Sequence, residues 1–154
     1  MIKINDEIPK FEISTDKGSF KISNYKGKKI VVFFFPKADT SGCTTESIAF
    51  TNLQQEFDKL NCVVIGISKD NPKKQGKFRE KYNLSCELGA DFENDVCEQF
   101  GVWVEKSMYG KKYMGIQRST FLSNDKGIIV NIWEKVKVPG HAEEVLETLK
   151  KVNN

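Results

Sequence analysis

The stretch Ile30-Val31-Val32-Phe33-Phe34-Phe35-Pro36-Lys37-Ala38-Asp39-Thr40-Ser41-Gly42-Cys43 decides the fold. Its first six residues form the longest purely apolar run in the chain, β-branched and aromatic, as expected of a strand covered on both faces. Cys62–Ser68 is a second such run. Between them, Thr44–Leu60 carries Phe50, Leu53, Phe57 and Leu60 at spacings of 3, 4 and 3, a helical stripe. Strand, helix, strand over this distance predicts a parallel, right-handed crossover. Before it, Phe11–Ser14 and Ser19–Ile22 alternate around Asp16-Lys17-Gly18, which predicts an N-terminal β-hairpin. After it, Asn71-Pro72 opens a charged helix to about Tyr82, and Asn94–Phe100 is a short helix closed by Gly101. Arg118–Ser123 and Ile128–Glu134 flank the turn Asn124-Asp125-Lys126-Gly127. Gly140–Val152 reads as a last amphipathic helix. The expected class is α/β: a central mixed β-sheet with helices on both faces, in one domain over 1–154 without repeat or linker.

Composition narrows the function. With 154 residues the chain can bury a sizeable core without disulfides or a structural metal. No apolar run approaches the roughly 20 residues of a membrane span, and the N-terminus lacks an apolar signal segment. We therefore expect a soluble, cytoplasmic protein. The net charge is only +3, and Arg79 and Arg118 are the two arginines. Scattered lysines with so little arginine read as a solvated surface and make nucleic acid a poor partner.

Cysteines stand at 43, 62, 86 and 97, with no CxxC, and His141 is the one histidine. That spacing is wrong for a structural zinc site. In a cytosolic chain such thiols are more often free than bridged. Cys43 differs from the others in its position, between the carboxyl end of a buried strand and the first turn of a long helix. Open α/β sheets place ligands there. Unpaired N–H groups and the positive end of the helix dipole favour a thiolate. An ordinary cysteine is only about 3% ionised at pH 7, so a cation is needed as well. Thr40 can cap the first turn, or donate to the sulfur or to a substrate oxygen. Gly42 lets the backbone approach a small ligand, and Pro36 removes one competing donor. An inert thiol in an ordinary strand-to-helix loop is the plain alternative for the cysteine alone.

The whole constellation resembles the active-site motif of the peroxiredoxins: Phe34-Phe35-Pro36, Thr40, Gly42-Cys43-Thr44 and Glu46 in one loop. Val96–Trp103 and Gly115–Leu122 look like the bacterioferritin comigratory protein subfamily, the Q type. The resemblance implies a thioredoxin-like fold and a thiol-dependent peroxidase. Cys43 would be the peroxidatic nucleophile that cycles through a sulfenic acid. Thr40 would hydrogen-bond the peroxide. Arg118 would favour the thiolate and help bind substrate, and Pro36 would shield the pocket from water. Gly42 and Glu46 join them as substrate-site residues. The resemblance implies no metal, haem or flavin, hydrogen peroxide or a small hydroperoxide as substrate, thioredoxin or another thiol as reductant, and a monomer.

The pattern departs from the family in one respect. Resolving cysteines stand 5 or some 36 residues after the nucleophile in many Q-type members, where this chain has Ile48 and Arg79. Cys86 is the least constrained remaining thiol and the candidate resolver, but a one-cysteine cycle is the first expectation. Arg79 and His141 read as surface residues, and Trp103, Tyr109 and Tyr113 as cover for the core or the pocket rim. A disulfide reductase is disfavoured, since it needs a second cysteine where Glu46 stands. A peroxide-sensing switch or holdase stays open.

Overall fold

The structure, a computed structural model, describes residues 2–152. Among the described residues nine strands are present: β1 (Glu12–Thr15), β2 (Gly18–Lys21), β3 (Lys29–Phe34), β4 (Cys62–Ser68), β5 (Glu87–Ala90), β6 (Trp103–Met108), β7 (Lys111–Ile116), β8 (Ser119–Ser123) and β9 (Ile129–Trp133). The helices are α1 (Ser41–Asn52), α2 (Gln54–Lys59), α3 (Pro72–Tyr82), α4 (Val96–Gln99) and α5 (His141–Lys150). Seven strands form one mixed sheet in the order β2-β1-β5-β4-β3-β8-β9. The centre, β3, β4 and β5, is parallel, and the flanking pairs are antiparallel.

Strand β3 is buried along its whole length, and its alternation divides the interior in two. Val31, Phe33 and Phe35 face a core shared with Phe50, Phe57, Phe78, Val145 and Leu149, from α1, α2, α3 and α5. Ile30, Val32 and Phe34 face the other core, with Phe11, Phe20, Val96 and Phe100. Burying both faces of one strand requires its continuous apolar run. The helices are unevenly shared, since only the short α4 contributes to the second core.

The predicted parallel crossover and both predicted hairpins are present. The single helix expected over Thr44–Leu60 is two. It starts earlier, at Ser41, and breaks at Leu53, whose N–H donates to the Phe50 carbonyl in a tightened turn. Sequence reading missed β5 and the β6–β7 hairpin, a separate two-stranded ribbon with Tyr109 and Gly110 at its tip in positive φ. Tyr109 is fully exposed and Tyr113 also faces solvent, so neither covers core. Among the described residues no helix is long and apolar enough to cross a membrane.

Two further expectations need correction. Arg79 is not a solvated residue of a helix face: it binds both carboxylate oxygens of Asp16, at 2.6 and 3.2 Å, and donates to the Leu84 carbonyl. It thereby ties α3 to the first hairpin. His141 is 5% exposed rather than on the surface; its Nε2 lies 2.8 Å from the Thr120 hydroxyl, between the rings of Phe50 and Trp133.

Candidate active site

The apolar run ends at Phe35, whose N–H still bonds the Ile67 carbonyl, and Pro36 turns the chain out of the sheet. The next residues are pinned from α3 and the end of β4. Ala38 N–H donates to Asp70 at 2.7 Å. Asp39, in positive φ at 63°, accepts from Lys81 and from the Tyr82 hydroxyl. These bonds, led by the Tyr82 hydroxyl, hold the Asp39 carboxyl below the usual carboxylate range. The loop therefore delivers the chain into α1 in a set geometry, with Thr40 as the residue before the helix.

Cys43 lies in the first turn of α1 and is 0% exposed. Arg118, between β7 and β8, approaches from across the sheet end, and its Nη2 donates to Cys43 Sγ at 3.2 Å. Its Nη1 donates to Glu46 Oε1 at 2.7 Å. Its own carbonyl accepts from Val136 N–H, which fixes the backbone behind the side chain. One guanidinium thus bridges a thiol and a carboxylate that are three residues apart on the same helix, a use of two donor edges that lysine could not reproduce.

Glu46 is 1% exposed, and its second oxygen, Oε2, has no hydrogen-bond partner among the described residues. Burial outweighs the attraction of Arg118 and pushes this carboxyl up to about 7. Near neutral pH it therefore exists in both charge states. Gly42 has a definite steric reason. A Cβ there would stand 3.2 Å from Arg118 Nη2 and 3.9 Å from Val138, so the missing side chain is the space the guanidinium occupies.

Four sequence-derived site residues, Cys43, Arg118, Glu46 and Gly42, are thus brought together. Thr40 and Pro36 stand beside them in the loop, both exposed. Thr40 does not cap the helix; its hydroxyl donates to the Lys37 carbonyl at 2.8 Å. That bond leaves the oxygen's lone pairs free to accept from a substrate.

The other three cysteines are free and buried. Cys86 is 1% exposed, which corrects its reading as the least constrained thiol. Burial pushes both Cys86 and Cys62 up to about 12. Burial raises Cys97 as well, reinforced by the adjacent Asp91 carboxylate. Among the described residues no group of three or more His, Cys, Asp or Glu side chains could hold a metal ion.

Sequence reasoning placed Glu46 in the first turn but missed its pairing with Arg118. It also missed the pins on Asp39 and the packing of Val138. No local pattern announces such contacts, because their partners lie 42 to 96 residues away.

Comparison with known proteins identifies the family. Residues 4–132 match the AhpC/TSA family. The chain is 47% identical over 150 residues to "Peroxiredoxin Bcp" of Bacillus subtilis, covering 97% of this chain and 96% of that protein. It is 45% identical over 149 residues to a putative peroxiredoxin bcp of Coxiella burnetii, covering 96% and 99%. Among solved structures, a ligand-complex study of Xanthomonas campestris bacterioferritin comigratory protein, concerned with its alkyl peroxide reduction activity, superposes with a TM-score of 0.89 at 38% identity, covering 96% of this chain and 98% of that one. A cysteine-to-serine mutant of Xylella fastidiosa PrxQ gives 0.92 at 35% identity, covering 97% and 96%. A helix-start cysteine bridged by arginine to a buried glutamate, on a chain with such relatives along nearly its full length, places the protein in the AhpC/TSA family, among the Bcp peroxiredoxins.

Proposed function

We propose that Cys43 is the nucleophile by which this thiol-dependent peroxidase reduces hydrogen peroxide and small organic hydroperoxides. The observation that carries the assignment is the 3.2 Å contact from Arg118 to Cys43 Sγ, which no other cysteine has. The thiolate attacks one peroxide oxygen; the S–O bond forms as the O–O bond breaks, and the second oxygen leaves as water or an alcohol. Cys43 becomes a sulfenic acid. Arg118 neutralises the attacking sulfur, and the Thr40 hydroxyl oxygen accepts from the peroxide. The first-turn N–H groups add fixed dipoles where charge develops. Gly42 keeps the guanidinium in place, Glu46 orients it, and Pro36 turns the loop across the site mouth.

Reduction of the sulfenic acid then follows a one-cysteine route. Attack on it requires a thiolate, and Cys62, Cys86 and Cys97 are buried with their thiols held protonated. An external thiol condenses with the sulfenic acid, releasing water and leaving a mixed disulfide. A second thiol resolves that disulfide and restores Cys43. Because Cys43 is buried, the loop of residues 36–43 must open for this step. Thioredoxin is the proposed donor. Four unbridged cysteines suit a reducing cytoplasm, and a site assembled wholly from one chain, on one continuous main sheet, suits a single-domain monomer.

Peroxide consumption with a dithiol reductant tests this. The parent should turn over many times, and Cys43→Ser should consume no peroxide while keeping its fold. Parental turnover in Cys43→Ser would overturn the assignment, and a parent that turned over once only would leave the sensor reading.

A further inference from the structure

The burial of Cys43 makes loop opening necessary, and the bonds that hold the loop shut come from α3 and from Asp70, just after β4. They differ in what breaking them exposes. The inner one, from Ala38 N–H to Asp70 Oδ2, is backed by a buried chain. The Ser68 hydroxyl donates to the same oxygen at 2.7 Å, and Gln75 Nε2 donates to Ser68 Oγ at 3.0 Å. Ser68 and Gln75 are both fully buried. Disturbing that chain would leave buried polar groups unpaired.

The outer bonds carry no such penalty. Asp39 is exposed, and its carboxylate accepts from the Tyr82 hydroxyl at 2.5 Å and from Lys81 at 2.9 Å. Water rehydrates the carboxylate once it is released. Asp39 also stands at φ 63°, in the left-handed region that an L residue keeps only where something holds it. The backbone therefore favours release, and the side-chain bonds oppose it. Of the two donors, Lys81 is largely exposed, and a surface ion pair contributes little. Tyr82 is half-buried, with Phe78 edge-on to its ring at 5.7 Å and Lys81 Nζ over it at 5.3 Å. One turn earlier, Arg79 ties α3 to Asp16. The hydroxyl is thus presented from a fixed platform, while its acceptor lies on the segment that must move.

We propose that Tyr82 is a positioning residue for the reduction step: its hydroxyl latches Asp39, and the latch sets how often the loop of residues 36–43 opens to admit a dithiol protein to oxidised Cys43. In the open state the reductant's thiolate attacks the Cys43 sulfur. The S–S bond forms as the S–O bond breaks, and the oxygen leaves as hydroxide, which takes up a proton to become water. Cys43 is reduced by one oxidation level as the incoming sulfur is oxidised by one. Peroxide is small and reacts in the closed state, where Arg118 holds the sulfur.

This inference rests on the peroxidase reading, and the test separates the two. Amide exchange of peptides spanning residues 36–44, and of peptides from α5, is followed in the reduced protein. Oxidation of Cys43 by hydrogen peroxide and its recovery with reduced thioredoxin, kept well below saturation, are timed separately. Tyr82→Phe keeps the ring and loses only the hydroxyl. Asp39→Asn keeps a residue that tolerates left-handed φ and loses the charge. A charge-assisted bond at a partly exposed site should hold opening back about fivefold. Both variants should therefore exchange residues 36–44 and recover Cys43 about fivefold faster, with α5 exchange and the peroxide rate within about twofold of the parent. Parental exchange or parental recovery in Tyr82→Phe would overturn the role. So would a slower peroxide rate with unchanged recovery, the mark of a merely structural contact. Recovery of the parent by dithiothreitol but not by thioredoxin would overturn the protein-thiol step. A parent whose Cys43 ignored peroxide would overturn the peroxidase reading and this role together.

Discussion

Arg118→Met is the perturbation that tests the site's electrostatics. The arginine gives the sulfur one charge-assisted hydrogen bond at 3.2 Å. Such bonds contribute about 1.5–3 kcal/mol. A full charge about 4 Å away at an effective dielectric near 20 contributes roughly 4 kcal/mol. The two figures overlap, because the bond is largely that charge. Glu46 also offsets part of it, since its carboxylate holds the same guanidinium at 2.7 Å. Removing Arg118 further leaves Glu46 unpaired at 1% exposure, so the carboxyl takes up a proton and its negative charge leaves the site. A net loss of about 2–3 kcal/mol for the thiolate and transition state remains, or roughly 30- to 150-fold in the rate of Cys43 oxidation at pH 7. The assay is rapid mixing of reduced protein with peroxide, with iodoacetamide alkylation as a parallel readout of thiolate content. Alkylation should fall as well, by a smaller factor, because it reports the ground-state thiolate alone. Arg118→Lys should recover only part of the loss, since an ammonium cannot span both partners. Parental rates in Arg118→Met for both reagents would refute the argument.

Gly42→Ala should slow peroxide oxidation several-fold with little change in stability, because its Cβ would press on Arg118 Nη2 from 3.2 Å; rapid-mixing rates beside urea midpoints check both halves. Two buried groups should give opposing pH slopes. Glu46, pushed up to about 7, keeps its proton in the fold while the unfolded chain ionises from about 4.5. The parent therefore loses stability as pH rises from 4.5 to 7, by about 3 kcal/mol at most. His141, lowered to about 4 chiefly by burial, stays neutral in the fold while the unfolded chain protonates below about 6.5. Here stability is lost as pH falls from 6.5 to 4, by roughly 2–3 kcal/mol. Urea midpoints between pH 4 and 8 should show Glu46→Gln gaining on the parent as pH rises and His141→Phe gaining as pH falls; parallel profiles would contradict both assignments.

Most of the architecture was legible because it rests on local signals. Ile30–Phe35 and Cys62–Ser68 can only be buried strands, and the Asn124–Gly127 turn is plain. The two-stranded ribbon was hidden because its strands are mostly exposed and carry Glu105, Lys111 and Lys112 where alternation would show apolar residues. Only the Tyr109-Gly110 tip marks it. Cys43 and Arg118 could be picked out from position and motif. The environments of Glu46, Arg79, Cys86 and His141 could not, since burial and pairing arise from distant partners. Asp16 closes on Arg79 across 63 residues, and Thr120 meets His141 across 21. A charged residue in an amphipathic helix looks solvated until such a partner is seen.

The measurement that bears most directly on the central claim is peptide mapping after one equivalent of hydrogen peroxide, with dimedone present to trap sulfenic acid. The account predicts the dimedone adduct on Cys43 alone, with Cys62, Cys86 and Cys97 recovered as free thiols and no disulfide between peptides of one chain. An adduct on any of those three with Cys43 unmodified would contradict it.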